Sequence, residues 1–286
     1  MSLDILSTQW PEYELIDSGD RRKLERFGDT IIIRSEPKAW WKPDTGKEQW
    51  GRAQAEFDDT SKNWKFFRKK VKKAWQMKLL GLQFEARLTD MSKHLGLFPE
   101  QEPHWSWMYD KIKQSGRDIR FLNLFGYTGV ASLVAAKAGA KVTHVDASKP
   151  AIGWGRENQQ RSGIEDAPIR WILDDAVKYA RREIRRNSLY DAIILDPPSF
   201  GRGPKGEIWK VEEQIAELMG LVKELLTEMP LFVVVTMYNL EASALMVQNL
   251  VSSTMKKGIC SSGELALAHK HSDKHLPLSI YTRWEP

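Results

Sequence analysis

The sequence predicts an α/β protein in which a small β-rich module precedes a mostly parallel, helix-flanked sheet with an antiparallel C-terminal strand. Two observations support this prediction. After residue 104, short apolar runs alternate with longer helical stretches, as they do in βαβ units. Before residue 104, β-branched and alternating segments are interrupted by prolines. We therefore expect an N-terminal module at residues 1–104 and an α/β domain at 105–286.

The individual elements follow from local patterns. In the module, 30–33 is a β-branched run, and apolar and polar residues alternate over 82–88. Beyond it, the predicted helices are 105–114, 130–138, 151–161, 176–186, 211–227 and 242–253. The predicted parallel strands are 121–125, 142–145, 169–173, 192–195 and 231–236. Two further strand candidates, 265–269 and 278–283, have no helix between them, which predicts a hairpin-like antiparallel finish.

Composition excludes several classes of protein. The 286 residues are 42% hydrophobic, enough for a substantial core, and no apolar run is long enough to span a bilayer. The single cysteine, Cys260, excludes a disulfide framework and a cysteine-based zinc site. Near its start the chain carries Asp4 and Glu12 and lacks the apolar centre of a secretory signal, so we expect a cytoplasmic protein.

The charge is mildly basic, with a net charge of +5 and a pI of about 9.1. Residues 62–78 contain eight Lys or Arg and no acidic residue. Aromatic side chains are interleaved with these cations: Trp64, Phe66, Phe67 and Trp75. Two interpretations stay open. The segment could bind phosphates and stack on bases, or it could be a solvated basic helix whose apolar face, formed by Trp64, Phe67, Val71 and Trp75, belongs to the core.

The loop after the first parallel strand has the form Gly-x-x-Gly. It comprises Asn123, Leu124, Phe125, Gly126, Tyr127, Thr128 and Gly129. The glycines allow a tight turn and a close approach to a ligand, and small residues follow in the next helix. The loop lacks both the dinucleotide fingerprint and the Gly-Lys-Ser/Thr of a P-loop, which disfavours a pyrophosphate cradle. A cofactor with an amino acid moiety and no phosphate fits better.

Acidic residues end the next two strands. Asp146 follows Val145, where a carboxylate can accept hydrogen bonds from both hydroxyls of a ribose. Asp174 and Asp175 follow the third strand, where a carboxylate can accept from the exocyclic amine of an adenine. Asp175 could equally be only the N-cap of the following helix.

The most specific motif follows the fourth strand: Asp196, Pro197, Pro198, Ser199 and Phe200. Consecutive prolines lack N–H groups and force an extended backbone, so the strand must stop there. The Asp196 carboxylate and the Pro197 carbonyl are then free to accept hydrogen bonds from the planar amine of a nucleobase, on which Phe200 could stack.

From about residue 94 onward the chain resembles the large-subunit ribosomal RNA methyltransferases that make 5-methylcytosine or 7-methylguanine. Matching motifs are the Asn123-to-Gly129 loop, Val145-Asp146-Ala147-Ser148 with Asn158 on the next helix, and Asp196 to Phe200. Looser matches are Gly96 to Gln101 and the pair Trp209-Lys210. The resemblance implies a Rossmann-like class I methyltransferase sheet, S-adenosylmethionine (SAM) as cofactor, and RNA as partner.

The resemblance also implies roles for individual residues. The predicted cofactor contacts are Gln101, Asn123, Phe125, Gly126, Tyr127, Thr128, Gly129, Asp146, Ala147, Ser148, Asp174, Asp175 and Asp196. The predicted catalytic residues are Asp196, Pro197, Pro198 and Phe200. The predicted substrate contacts are Phe200, Trp209, Lys210 and Tyr238.

One departure from the family bears on the target atom. Members that methylate cytosine C5 carry a cysteine just after the fifth strand, where this chain has Val235-Thr236-Met237-Tyr238-Asn239. Cys260 comes later, and cytosine C5 is a poor nucleophile without a thiolate adduct. We therefore expect methylation of a ring or exocyclic nitrogen in RNA.

The sequence also bears on a metal site and on three alternative functions. His269, His271 and His275 have suggestive spacing but no matching set of acidic or cysteine ligands within sequence reach, so we expect surface or strand histidines and predict no metal site. A nicotinamide-dependent oxidoreductase is disfavoured by the Gly-x-x-Gly and Pro-Pro loops, and a non-catalytic RNA-binding protein by the intact acidic positions. A SAM-dependent enzyme acting on a protein or a small molecule stays an alternative.

Overall fold

The computed structural model describes residues 4–238 and 242–286 and forms two compact units. The larger unit contains residues 4–6, 104–265 and 279–286, and the smaller contains 7–103 and 266–278. Residues 266–278 therefore lie in the same unit as the N-terminal module, although the predicted boundary at 104/105 assigns them to the other domain. The domain boundary itself stays a prediction. Among the described helices, none has both the length and the apolar character needed to cross a bilayer.

Strands and helices alternate in the larger unit, whereas the smaller is nearly all β. Within the described ranges the strands are β1 (Asp4–Ser7), β2 (Tyr13–Gly19), β3 (Arg22–Phe27), β4 (Thr30–Ser35), β5 (Ala55–Asp58), β6 (Asn63–Phe66), β7 (Ala74–Leu79), β8 (Leu82–Arg87), β9 (Arg120–Leu124), β10 (Lys141–Asp146), β11 (Ile169–Leu173), β12 (Ala192–Leu195), β13 (Phe200–Arg202), β14 (Ile208–Lys210), β15 (Phe232–Tyr238), β16 (Ile259–Ala268) and β17 (His275–Glu285). The helices there are α1 (Lys47–Trp50), α2 (Glu102–Gln114), α3 (Val130–Lys137), α4 (Lys149–Arg161), α5 (Ala176–Arg185), α6 (Val211–Glu224) and α7 (Ala244–Met255).

The large sheet has the order β1-β16-β17-β15-β12-β9-β10-β11. The pairs β15/β12, β12/β9, β9/β10 and β10/β11 are parallel, and β17 is antiparallel to β15. Strand β12 is buried along its whole length, as expected for a strand covered by helices on both faces. The predicted mostly parallel sheet with an antiparallel finish is confirmed.

Local sequence explains where the helices of this sheet begin. Ser148, Asp175 and Ser243 are N-caps whose side chains accept hydrogen bonds from backbone N–H groups in the first turn of α4, α5 and α7. Helix α3 instead begins after Gly129, which has the left-handed φ of 82°. Helices α4 and α5 therefore start within three residues of the carboxyl ends of β10 and β11.

The smaller unit is built around a five-stranded sheet with the order β2-β3-β4-β5-β6, together with the β7/β8 hairpin. A buried ion pair lies in this unit: Arg34 donates from Nε and one terminal nitrogen to the two carboxylate oxygens of Glu25, each at 2.7 Å. Tyr13 Oη also donates to Glu25, at 2.8 Å. Arg34 and Lys23 together lower the pKa of Glu25 to about 2, against the effect of its burial.

Three features differ from the sequence-based expectation. The proposed helical face in 62–78 is wrong, because β6 and β7 occupy this stretch with a loop between them. The β13/β14 hairpin was not predicted, because its strands have three residues each and follow two prolines. Strand β16 also begins at Ile259, well before the predicted start at 265, since the polar residues at its start hide the strand pattern.

Candidate active site

The predicted functional loops meet at one edge of the sheet. In the parallel register, Leu124 pairs with both Leu195 and Val145, and Asp146 pairs with Leu173. The residues that follow β9, β12 and β11 therefore emerge side by side, next to the end of β10. This is the edge where open α/β sheets bind their ligands.

The Gly-x-x-Gly loop is strained and tightly packed. Phe125 and Tyr127 have left-handed φ values of 58° and 51°, and Gly126 donates to the Val145 carbonyl. A Cβ on Gly126 would lie 2.4 Å from Cε1 of His144, and one on Gly129 would lie 2.6 Å from the Trp171 ring. Both glycines are thus required by close packing. Phe125, which was placed in the strand by the sequence, instead belongs to this loop.

A buried polar network supports the loop from beneath. Asn123 donates from Nδ2 to Ser132 Oγ at 3.0 Å, and Ser132 Oγ lies 3.0 Å from Nδ1 of His144. Burial lowers the pKa of His144 to about 3, so the ring is neutral. Asn158 donates to the Thr128 carbonyl at 3.3 Å. Asn123 and Asn158 thus fix the loop's conformation from inside the protein.

Asp146 binds the loop backbone directly. Its Oδ2 accepts from Tyr127 N at 2.8 Å, and its Oδ1 accepts from Ser148 N at 2.7 Å. Burial raises the pKa of Asp146, and the backbone N–H groups of Ser148, Tyr127 and Ala147 oppose this rise. A carboxylate has about four lone-pair sites, more than these backbone N–H groups occupy, so the group can still accept from a ligand hydroxyl.

The two aspartates after β11 have different environments. Asp175 is the N-cap of α5, with Oδ1 accepting from Lys178 N at 2.9 Å. Asp174 accepts from Asp175 N and forms a 2.6 Å ion pair with Arg182. The capping role is therefore present in the structure, and both carboxylates stay at the same edge as Asp146.

The Asp-Pro-Pro loop is held by a tryptophan. Trp209, in β14, is only 3% exposed and donates from Nε1 to the Pro198 carbonyl at 2.7 Å. Its ring packs against Phe125, with centroids 5.1 Å apart. Trp209 therefore connects the Asp-Pro-Pro loop to the Gly-x-x-Gly loop. Its burial shows that the side chain supports this loop and is not displayed on the surface.

The β13/β14 hairpin presents one exposed face. Phe200 pairs with Lys210 and Arg202 with Ile208, and these four side chains are exposed, whereas Trp209 on the opposite face is buried. Phe200 is 54% exposed. Lys210 forms a 2.8 Å ion pair with Glu213.

The tip of this hairpin is also fixed. Glu207 accepts from Lys178 Nζ at 2.5 Å, and its pKa is lowered to about 2, mainly by this contact. Lys178 lies on α5, so the hairpin is held to the body of the larger unit at its tip as well as at Trp209. Sequence reasoning missed Arg202, Glu207 and Ile208. The available signal for Arg202 and Ile208 was the period-two spacing of Phe200 with Arg202 and of Ile208 with Lys210 on either side of the short turn.

The remaining predicted residues lie elsewhere. Tyr238 ends β15, which neighbours β12 in the sheet. Gln101 is buried within the smaller unit, in a 3-10 turn, and its predicted cofactor contact stays a prediction. Cys260 lies in β16, separated from β15 by β17, and burial raises the pKa of its thiol. Asn239 lies outside the described residues.

His269 has acidic neighbours that are distant in sequence. Asp17 and Asp44 lie 3.9 and 3.7 Å from its Nδ1. Asp17 already accepts from Thr45, Trp50 and other groups, and Asp44 accepts from Lys274. These hydrogen bonds use the carboxylates as structural acceptors within the smaller unit.

The donor and acceptor pattern of the sheet edge fits an adenosyl group. An adenosyl group offers two ribose hydroxyls and one exocyclic amine as donors, and the edge offers carboxylates on adjacent strands. The loop has no side-chain cation or P-loop lysine to receive a pyrophosphate. This fold and this site together define the class I methyltransferases, which bind SAM at the carboxyl edge of their sheet.

Comparison with known proteins gives the family. Residues 46–230 match the family model described as S-adenosylmethionine-dependent methyltransferase, and the chain belongs to this family. SAM is its cofactor. A solved SAM-dependent methyltransferase from Agrobacterium tumefaciens is 42% identical, with a TM-score of 0.97 over 100% of this chain and 94% of that one.

More distant similarities extend this result. A candidate SAM-dependent methyltransferase from Streptococcus mutans shares the fold, with 16% identity and a TM-score of 0.73 over 96% of this chain and 75% of that one. The ribosomal RNA large subunit methyltransferase K/L of Pseudoalteromonas translucida is 34% identical over 149 residues, which are 51% of this chain and 20% of that protein. The match thus spans about a fifth of the length of the curated relatives.

Proposed function

We propose that this enzyme transfers the methyl group of SAM to a nitrogen of a nucleobase in RNA, with ribosomal RNA as the substrate. The observation that carries the proposal is the Asp196-Pro197-Pro198 loop, held beside the Gly-x-x-Gly loop by Trp209. The similarity to a protein named for ribosomal RNA methylation supports the choice of RNA. An rRNA substrate implies a cytoplasmic enzyme.

The cofactor would be held along the carboxyl edge. The Phe125-to-Gly129 loop would bind the amino acid moiety, and Asp146, with the Ala147-Ser148 backbone, the ribose. Asp174 and Asp175 would accept from the adenine amine. When bound, SAM supplies an electrophilic methyl group on a sulfonium. The protein's own contribution is then to orient the acceptor base and to exclude water.

The base would be oriented by acceptors on the Asp-Pro-Pro loop. The Asp196 carboxylate and the Pro197 carbonyl can accept from a planar amine, and Pro198 keeps the loop extended. Phe200, at 54% exposure, offers a ring for stacking. Lys210 and Tyr238 are the proposed further substrate contacts. Most of the rate enhancement would come from positioning the nitrogen in line with the methyl group.

Nitrogen is favoured over carbon because the described part of this edge presents no thiol. The chain's one cysteine, Cys260, lies two strands away from β15, and burial raises its pKa, which keeps the thiol protonated. A nitrogen lone pair can attack SAM directly, whereas cytosine C5 needs a thiolate adduct first. Methylation of a protein or a small molecule is the second candidate, and the exposed basic residues of 66–73 favour RNA over it.

Mass spectrometry of ribosomal RNA nucleosides tests the proposal. RNA from cells with and without the gene would be digested, and the purified enzyme would then be added to the unmodified RNA with labelled SAM. We expect one methylated nucleoside to disappear and to be restored, with its methyl on nitrogen. Methyl transfer to protein or to small molecules, with unchanged rRNA nucleosides, would reject RNA as the substrate. A restored 5-methylcytosine would reject the nitrogen assignment.

A further inference from the structure

The segment between β6 and β7 carries an exposed surface that the methyltransferase site does not use. It comprises residues 66–73, here called the 66–73 patch, and all of them except the half-buried Val71 are exposed. We propose that this patch binds single-stranded RNA by base stacking on Phe66 and Phe67 and by phosphate contacts from Lys69, Lys70, Lys72 and Lys73. The inference rests on the proposed function and names a second contact for the same substrate.

The aromatic part of the patch is exposed although a core is close by. Trp64, on the same strand, is 8% exposed and packs edge-on against Phe57 at 5.3 Å. Phe66 and Phe67 are 42% and 46% exposed. Two successive phenylalanines outside the core do not contribute the free energy that burial of their rings would give. Their exposed rings are available to a ligand. Any of the four bases can stack on such a ring, so the contact would not depend on the RNA sequence.

The backbone beneath the two rings is fixed. Phe67 N donates to the Gln54 carbonyl at 2.8 Å, and Arg68 donates from its guanidinium to the Gly51 carbonyl at 3.0 Å. Lys73 Nζ lies 5.8 Å from the centroid of the Phe66 ring, within cation–π range. The patch therefore presents rings and cations together from a position anchored to the sheet of the smaller unit.

The cations of the patch keep their charge available. Across the described residues, Lys69, Lys70, Lys72 and Lys73 form no ion pair with a carboxylate, and 62–78 contains no acidic residue. Nearby acids on β5 are engaged by other cations, since Asp58 pairs with Lys65 and Glu56 with Arg22. Unpaired lysines beside exposed rings match a ligand that has both phosphates and unstacked bases.

A simpler role would also use lysines here. Strand β6 is an edge of its five-stranded sheet, and lysines at an edge discourage strand-to-strand aggregation. That role needs charge but gives no reason to expose two phenylalanine rings. The two explanations therefore predict different effects of removing the Phe66 and Phe67 side chains.

Fluorescence anisotropy with the full-length protein tests the proposal. The probes are a labelled mixed-sequence RNA of about 12 nucleotides, single-stranded or annealed to its complement, titrated over a salt series. We expect Phe66→Ala/Phe67→Ala to weaken single-strand binding by about tenfold or more without changing the salt slope. Lys69→Ala/Lys70→Ala should reduce the slope of log K against log salt by about 1.4. Phe66→Tyr/Phe67→Tyr should bind as the wild type.

The control is Lys137→Ala/Lys223→Ala, which removes two exposed lysines from helices of the larger unit. This variant should leave both affinity and slope nearly unchanged. Wild-type binding by the phenylalanine double variant, or equal binding of duplex and single strand, would overturn the proposal. Competition by poly-glutamate as strong as that by RNA would instead identify an acidic protein partner and would also overturn it.

These outcomes are independent of the methylation chemistry. Binding of S-adenosylhomocysteine (SAH) and the thermal midpoint, measured on every variant, report the cofactor site and the fold. If RNA binds through the patch but no base is methylated, the proposed function fails while the patch inference stands. If bases are methylated but the patch variants bind normally, only the patch inference fails.

Discussion

The indole of Trp209 donates to the carbonyl of Pro198 at 2.7 Å, and this contact fixes the loop that carries Asp196. The same ring packs on Phe125 of the Gly-x-x-Gly loop. A single buried side chain therefore joins the Asp-Pro-Pro loop to the Gly-x-x-Gly loop. Under the proposed function, Trp209 sets the position of the acceptor base relative to the methyl donor. Because in-line transfer depends on that position, Trp209 is a positioning residue whose role can be measured.

Trp209→Phe should lower kcat roughly tenfold, because it removes the hydrogen bond that holds the Pro198 carbonyl. The variant keeps an aromatic ring at this position. The affinity for SAH, measured by calorimetry, should not change. Trp107→Phe, a half-buried tryptophan on α2, is the matched control and should keep full activity. A Trp209→Phe enzyme with normal kcat would remove the positioning role.

Gly126→Ala should destabilise the protein by about 1–3 kcal/mol, because its Cβ would lie 2.4 Å from Cε1 of His144. Binding of SAH should weaken with it, since the loop must move. Urea denaturation and calorimetry measure the two effects. Gly220→Ala, in the middle of α6 with nothing near its Cβ, should instead be neutral or stabilising. Equal behaviour of the two variants would contradict the packing argument.

Cofactor affinity should decline on acidification at a higher pH than an ordinary aspartate would give. Burial raises the pKa of Asp146 above 3.8, and in the proposed binding mode its ionised form is the one that accepts from both ribose hydroxyls. The carboxylate is ionised above its raised pKa and becomes protonated as the pH falls through that value. SAH binding should therefore weaken over that range, as calorimetry from pH 7 downward would show.

Asp146→Asn is the companion variant. It should bind SAH about tenfold or more weakly at pH 7, because hydrogen bonds to a charged acceptor are replaced by weaker ones. Its affinity should no longer depend on pH in the window assigned to Asp146. The same acid-dependent loss in the asparagine variant would assign the titration to another group.

Glu25→Gln should destabilise the smaller unit by about 3–5 kcal/mol, because Arg34 would be left buried without its counter-charge. In the wild type the pKa of Glu25 is depressed from 4.5 to about 2. Its contribution to stability is therefore full above 4.5 and is lost as the pH falls towards 2. Acid unfolding monitored by circular dichroism measures both effects. Asp20→Asn, which breaks the exposed pair with Lys42, should change stability little.

The sheet edge could be predicted from the sequence because parallel strands all end on one side. Asp146, Asp175 and Asp196 each follow an apolar run, so their common placement needs only the strand order of an open α/β sheet. The role of Trp209 could not be predicted in this way. It depends on the register of β13 with β14, which decides whether this residue or its neighbours face the loop.

Long-range contacts account for the remaining differences. Asp17 and Asp44 approach His269 only because residues 266–278 return to the smaller unit, and local sequence holds no sign of this return. In the stretch 62–78 apolar residues fit one helical face, yet the structure forms β6 and β7 there and not a helix. Pairing of β6 with β5 and of β7 with β8 decided between helix and strand, which is a tertiary effect.

The most direct test of the account is methyl transfer to unmodified ribosomal RNA by purified Asp196→Ala and Cys260→Ser enzymes, each first shown to bind SAH. We predict that Asp196→Ala loses transfer, because the base is no longer oriented, and that Cys260→Ser retains the wild-type rate. An inactive, folded Cys260→Ser enzyme, or an active Asp196→Ala enzyme, would contradict nitrogen methylation directed by the Asp-Pro-Pro loop.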